Sequence, residues 1–351
     1  MISLDTLTIT SEMLNLIAEV DEFKGAWEHM RKLTPDRLLA LKKVATIESI
    51  GSSTRIEGAQ LSDSEIEMLL SQSNALSLQT RDQQEVAGYA SACEKICEYY
   101  KDLPITENVI KQLHTWTLQY TDKDDRHRGA YKKIPIRIEA FDSNGASVGV
   151  VFDTTSPLET PFKMEELVAW ITSAFEKQPK IHPLIAIGIF IVLFLAIHPF
   201  QDGNGRLSRL LTTLLMLKCG YLYAPYSSLE SIIEANKDAY YLALQRTQKS
   251  WQNNCPNWTP WLLFFFQCLQ RQKKHLEVKL EREKILLQKL PVLHQQILDL
   301  LNAHGRLGIS DMVTLTQANR NTLKKAMATL VKDNYIARHG AGKSSWYTFK
   351  V

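Results

Sequence analysis

The chain has 351 residues, 41 Lys and Arg against 38 Asp and Glu, and a formal net charge of +3. At 45% hydrophobic and 23% charged residues it is too apolar for a disordered chain and long enough for two or three domains. The near balance of charge gives no global argument for nucleic acid or an anionic membrane, and five cysteines without tight spacing argue against a disulfide framework or a structural zinc site.

In chain order, residues 1 to about 100 read as helical, with Leu14, Ile17 and Val20 forming one apolar stripe and Ile66, Leu69 and Leu70 another. No basic-then-apolar leader opens the chain, so the cytoplasm is the expected compartment. Between the stripes lies the polar segment Ile47 to Gly58, where Ser53 or Thr54 is expected to cap a short helix that Gly58 ends. A further helix is expected from Thr106 to about residue 120. The charged stretch from Thr121 to Gly129 follows; Asp122, Asp124 and Asp125 are interleaved there with Lys123 and Arg126, which fits a hydrated loop better than a metal site. From Ile134 to Phe152 apolar residues alternate around the turn signal Asp142 to Gly145, which predicts a hairpin, and Pro135 places one strand at an edge.

Glu165 to Phe175 returns to helical spacing. Leu184 to Ile197 is almost wholly apolar yet too short to span a bilayer, so it reads as a buried core helix and no membrane association is expected. Helices are expected at Leu207 to Leu217, ended by Gly220, at Ser228 to Gln248, and at Trp261 to Leu269, whose aromatic run suits a core or a subunit contact. Residues 270 to 290 mix charges of both signs on a solvated connecting helix.

The last 55 or so residues read as helix, a short second helix opened by Ser310, a third from near Gln317, and two strands, Tyr335 to Arg338 and Trp346 to Phe349. That order predicts a winged helix-turn-helix. Asn319, Arg320, Lys324, Lys325 and Lys343 suit weak contacts to a DNA backbone, or the module mediates protein contacts. The string Gly340 to Ser344 is not a phosphate loop, since Ala337 stands where the first glycine would be required. The expected division is 1–100 as an N-terminal helical region, 101–250 as a catalytic core, 251–290 as connecting helices and 291–351 as the winged helix.

The chemistry concentrates in His198-Pro-Phe-Gln-Asp-Gly-Asn-Gly-Arg-Leu-Ser-Arg209. Pro199 ends the preceding helix, and Gly203 and Gly205 permit close backbone approach. A helix starting near Asn204 turns unpaired N–H groups and its positive dipole end towards an anion. Arg206 and Arg209, three residues apart, suit separate phosphates of a chain. Asp202 is a hard oxygen ligand for a divalent cation, and His198 can take a hydroxyl proton near neutral pH. The reading from residues alone is a polyphosphate site, with a purely structural loop as the alternative.

This segment resembles the Fic family motif, HxFx[D/E]GNGRxxR, at every fixed position. The likeness extends over roughly residues 8 to 248, through His127 to Gly129, the hairpin, Gly220-Tyr221 and the stretch ending in Tyr240 and Tyr241. The resemblance implies a mostly helical, all-α Fic fold with a small hairpin flap, and transfer of AMP from ATP to a Ser, Thr or Tyr hydroxyl of a target protein and of the enzyme itself. His198 would be the base and Asp202 the Mg²⁺ ligand. Phe200, Gly203, Asn204, Gly205, Arg206 and Arg209 would hold the nucleotide, with Tyr240 and Tyr241 at the adenine. A homodimer is a further expectation. The chain departs from many relatives in the apolar character of the helix before the motif.

Ser53 to Gly58 resembles the family's inhibitory motif, [S/T]xxxE[G/N]. By that likeness Glu57 pairs with Arg209 in place of the γ-phosphate, with Ser53 and Gly58 shaping the helix end. Glu57 would then be a brake, or would orient a water for removing AMP. A regulator that binds DNA and only senses ATP is the alternative from a different class.

Overall fold

The computed structural model describes residues 2, 4–30, 35–71, 78–121, 125–141, 147–176, 181–253, 255–288, 290–333, 335–340 and 345–349. Asp122, Lys123 and Asp124, the turn from Asp142 to Gly145, and Lys343 with its neighbours lie outside them. The chain divides into two compact units, Met1–Trp27 with Val44–Lys273, and Glu28–Lys43 with Lys274–Val351.

Helices dominate. They run α1 Ser11–Met30, α2 Pro35–Ile56, α3 Asp63–Ser71, α4 Arg81–Tyr99, α5 Glu107–Thr117, α6 Thr160–Glu176, α7 Pro183–Ile197, α8 Asn204–Lys218, α9 Leu229–Ala235, α10 Lys237–Gln252 and α11 Thr259–Gln288. Thr80 caps α4 with a reciprocal capping box to Gln83, and Thr106 caps α5 as expected. The hairpin pairs β1 Arg137–Phe141 with β2 Ser147–Asp153 in antiparallel register, Arg137 opposite Asp153, with two irregularities in the ladder. The ladder starts after Pro135, so that residue precedes the strand.

At the centre of the larger unit lies α7. Every residue from Leu184 to Ile197 is buried, and α6, α8 and α10 pack on it. A side chain at Gly188 would sit 2.7 Å from Leu262, so a glycine there lets α11 close on α7. Trp261 then donates its indole N–H to the Gly188 carbonyl at 2.6 Å. The aromatic run is therefore core: Trp261, Phe265 and Phe266 are all buried.

Two expected details change. Leu14 and Leu70 are exposed, and the buried stripes run instead through Met13, Leu16, Ile17 and Val20 and through Ile66; the neighbours of α1 and α3, not the spacing alone, choose the buried side. The polar segment before Gly58 is no separate short helix. It is the last part of the 22-residue α2, and the Thr54 hydroxyl donates back to the Ile50 carbonyl at 2.9 Å instead of capping. Gly58, at φ +107, does end the helix.

In the smaller unit the order is α12 Val292–His304, β3 Leu307–Gly308, α13 Ile309–Thr316, α14 Arg320–Lys332, β4 Ile336–His339 and β5 Trp346–Phe349, with strand order β3-β5-β4. Its core is Ile297, Leu301, Met312, Leu323, Met327 and Leu330. Gly308, not Ser310, is the cap residue of α13, its N–H donating to Asp311 at 3.0 Å. Gln317, at φ 54, closes α13, so the third helix starts only after Asn319. A groove of ≈ 1240 Å³ lies in this unit, lined by Arg306, Arg320, Lys324 and Arg338 beside Trp346, with Asp311 as its acid. Among the described residues no helix is long and apolar enough to cross a membrane.

Candidate functional site

The loop between α7 and α8 is built by its own side chains. His198 leaves α7 in the left-handed region at φ 52, a conformation costing a non-glycine residue roughly 1–2 kcal/mol. The segment 131–132 fixes it there: the Lys132 N–H donates to the Pro199 carbonyl at 2.8 Å, and the Lys132 ammonium to the Ile197 carbonyl at 2.8 Å. Tyr131 forms an antiparallel bridge to Phe200. Asn204 closes the loop from the other end, accepting from the Phe200 N–H at 2.9 Å and donating to the Phe200 carbonyl at 2.7 Å. Gly203, at φ 77, starts α8, whose first-turn N–H groups have no helical partners.

His114 locks the loop from beneath. Its ring stacks on Phe200 with centroids 3.9 Å apart. Nδ1 accepts from the Gly129 N–H at 2.9 Å, which puts the ring proton on Nε2, donating to the Asp202 carbonyl at 2.9 Å. Burial pushes His114 down to about 4. The same holds for His198, where burial and then the Lys132 charge push the ring down to about 4. Its Nδ1–H donates to the Leu195 carbonyl at 3.4 Å, which leaves the Nε2 lone pair bare. At neutral pH, His198 is thus an unprotonated base with one usable nitrogen.

Two buried arginines flank the α8 start. Arg206 is 2% exposed and Arg209 4%. Arg206 reaches Glu85 at 2.9 Å and Asp202 at 3.2 Å. Burial opposes ionisation of Asp202, but Arg206, the Gly203 N–H and Arg81 outweigh it and hold the carboxyl below its usual range. Arg209 donates to the Ser53 hydroxyl at 2.7 Å, to the Ser53 carbonyl at 2.9 Å and to Glu57 at 2.7 Å. Burial works against its charge, yet Glu57 and its other neighbours raise it above the usual arginine range. Its Nη1 is buried with no hydrogen-bond partner.

The Glu57 carboxylate rests on the helix start itself. A Cβ at Gly205 would lie 2.1 Å from Glu57 Oε1. An anion therefore sits where the backbone comes closest, on a first turn that favours negative charge. The arrangement fits a nucleotide polyphosphate, with the carboxylate standing in for one anionic group and an unsatisfied Arg209 nitrogen beside it. A divalent cation fits as well. Among the described residues no cluster of three or more His, Cys, Asp or Glu is positioned for a metal, and a single carboxylate plus phosphates is the donor set Mg²⁺ ordinarily takes.

Most of the expected residues converge: His198, Phe200, Asp202, Gly203, Asn204, Gly205, Arg206, Arg209, Ser53 and Glu57 meet at one loop, with Gly58 next in the chain. Tyr240 is buried against Tyr241, Trp261 and Phe264, as packing alone would place it, while Tyr241 is 37% exposed. Arg81, Glu85, His114 and Lys132 belong to the site and carry no motif. Arg81 and Glu85 are a visible i,i+4 pair, but their partners lie more than a hundred residues away.

Residues 104–216 match the Fic/DOC family. The chain carries a Fic domain. Its match runs from just before α5 almost to the end of α8. Among curated proteins, the chain is 27% identical over 219 residues to "Protein adenylyltransferase Fic" of Drosophila mojavensis, covering 60% of this chain and 40% of that one. It is 29% identical over 182 residues to the protein of the same name from Drosophila virilis, covering 51% and 34%. The chain thus spans two fifths or less of the length of these relatives. The fold is also similar to that of the crystal structure of a Fic family protein from Desulfovibrio desulfuricans, with a TM-score of 0.61, 23% identity and coverage of 98% of this chain and 97% of that one.

Proposed function

We propose that this Fic protein transfers AMP from ATP to a Ser, Thr or Tyr hydroxyl of a target protein and of itself, restrained by Glu57. His198 Nε2 takes the hydroxyl proton as the oxygen attacks the α-phosphorus. The bond from that phosphorus to the bridging oxygen breaks, and pyrophosphate leaves. Arg206, Arg209 and the N–H groups from Asn204 to Arg206 hold the departing charge. Asp202 would hold Mg²⁺, which would supply positive charge against the phosphates. Tyr240 and Tyr241 border the adenine side. The observation that carries this reading is the backbone-tethered His198 beside a helix start where Arg209 holds a carboxylate against Gly205.

Glu57 and a γ-phosphate compete for Arg209, because one fork serves one anion. Losing that charge-assisted bond is worth roughly 10–100-fold. Glu57→Gly incubated with α-labelled ATP and Mg²⁺ should gain that much protein-bound label after denaturation, and His198→Ala in the same background should lose about 10²–10⁴-fold. γ-Labelled ATP should leave none. Reversible nucleotide binding without label would refute the transfer and leave an ATP sensor; release of AMP from a modified protein by the wild-type chain would assign Glu57 to the reverse direction.

The reading extends to a homodimer, for which exposed Leu158 and Phe162 are apolar contact candidates, checked by sedimentation. It also extends to the C-terminal unit as a winged helix with weak DNA affinity. The cationic groove supports that, and loss of binding in salt measures it.

A further inference from the structure

Asp202 Oδ2 is already crowded. It takes Arg206 Nη2 at 3.2 Å and Arg81 Nη2 at 3.1 Å, while Oδ1 accepts from the Gly203 N–H at 2.7 Å. Arg81 also bonds Glu85 Oε1 through Nε at 2.7 Å, and Glu85 Oε2 holds Arg206 at 2.9 Å. The four side chains form a closed ring of alternating charge, Arg81, Glu85, Arg206, Asp202. A divalent cation on Asp202 would meet two guanidinium charges at the same carboxylate and would compete with their N–H donors for its lone pairs.

The two arginines are not equally free to yield. Both are held by Glu85, itself 9% exposed at the side chain, but Arg206 is only 2% exposed. Arg81 is the first residue of α4, with its side chain 53% exposed, so water can take its charge when it moves. We propose that Arg81 is a displaceable counter-ion of Asp202: it neutralises the carboxylate while no cation is bound and gives way to the divalent cation, which sets how readily that cation binds. Arg81 is thus a positioning residue, and the inference rests on the assignment of a divalent cation to Asp202.

The test measures Mn²⁺ bound to the full-length Glu57→Gly protein with a non-hydrolysable ATP analogue, from the electron paramagnetic resonance signal of free Mn²⁺. Arg81→Ala should bind Mn²⁺ about two- to tenfold more tightly, as removal of a half-exposed competing charge allows. The gain should shrink as salt rises. Arg81→Lys, which keeps the charge, should stay near the parent, and Asp202→Ala should lose affinity. Equal or weaker Mn²⁺ binding by Arg81→Ala, with Asp202→Ala impaired, overturns the proposal. Unchanged affinity in Asp202→Ala overturns it together with the metal assignment, whereas AMP transfer stands or falls separately on label from α-labelled ATP.

Discussion

The start of α8 and the groove of the C-terminal unit both gather cations, and they do so in opposite ways. At α8 the two arginines are buried, and each has a carboxylate partner. In the groove Arg306, Arg320, Lys324 and Arg338 are exposed, and among the described residues none is ion-paired. A buried guanidinium needs a carboxylate partner, and that partner sets its position before any ligand arrives. An exposed one keeps its water and its rotamers and contributes mainly to diffuse attraction. The first region is a pre-organised set of charges, and the second is an electrostatic surface.

The contrast breaks most sharply at Glu85. Glu85→Ala removes one partner of a buried ion pair and should cost about 3–5 kcal/mol of stability, read as a lower denaturant midpoint with an unchanged slope. Glu85→Gln, which keeps the shape, should cost less. A fall of under about 1 kcal/mol for Glu85→Ala would mean that Arg206 is not fixed by this contact.

A smaller effect comes from protons. His114 and His198 sit near pKa 4 in the fold against about 6.5 when unfolded. The unfolded chain therefore binds more protons, and the stability present above about pH 6.5 is lost as pH falls towards 4. Each ring accounts for roughly 2 kcal/mol between pH 7 and 5. His198→Gln should lose about that much less than the parent over the same interval, by chemical denaturation at the two pH values. An equal loss in both proteins would place the His198 titration elsewhere.

The smallest effects belong to the groove. Arg320→Ala or Lys324→Ala should weaken duplex DNA binding only a few-fold each, by about 1 kcal/mol or less per exposed charge, and should flatten the dependence on salt. A loss of a hundredfold from either one would make the groove a pre-organised site like the first.

Parts of the site were legible because their signal is local. Gly203 and Gly205 before a leucine-rich helix announce an anion site, and Thr106 announces α5. The limits of α2 were not legible. Ser53 and Thr54 look like caps in isolation, yet tertiary packing carries the helix through them, so Ser53 spends its hydroxyl on Arg209. His114 could not be assigned from its place on a helix face, since its partners, Gly129 and Asp202, arrive from other segments.

By itself, then, the sequence determined the order of helices, the hairpin and the loop from His198 to Arg209, all of them patterns that close within a few turns of chain. Only the tertiary structure decided that Glu57 lies on Gly205, that Glu85 holds Arg206 and that Arg81 shares Asp202 with it. Those contacts join residues more than a hundred positions apart. Charge alone does not choose among so many possible partners; the packing of α2, α4 and α5 around α8 does, because it leaves each buried arginine few carboxylates within reach.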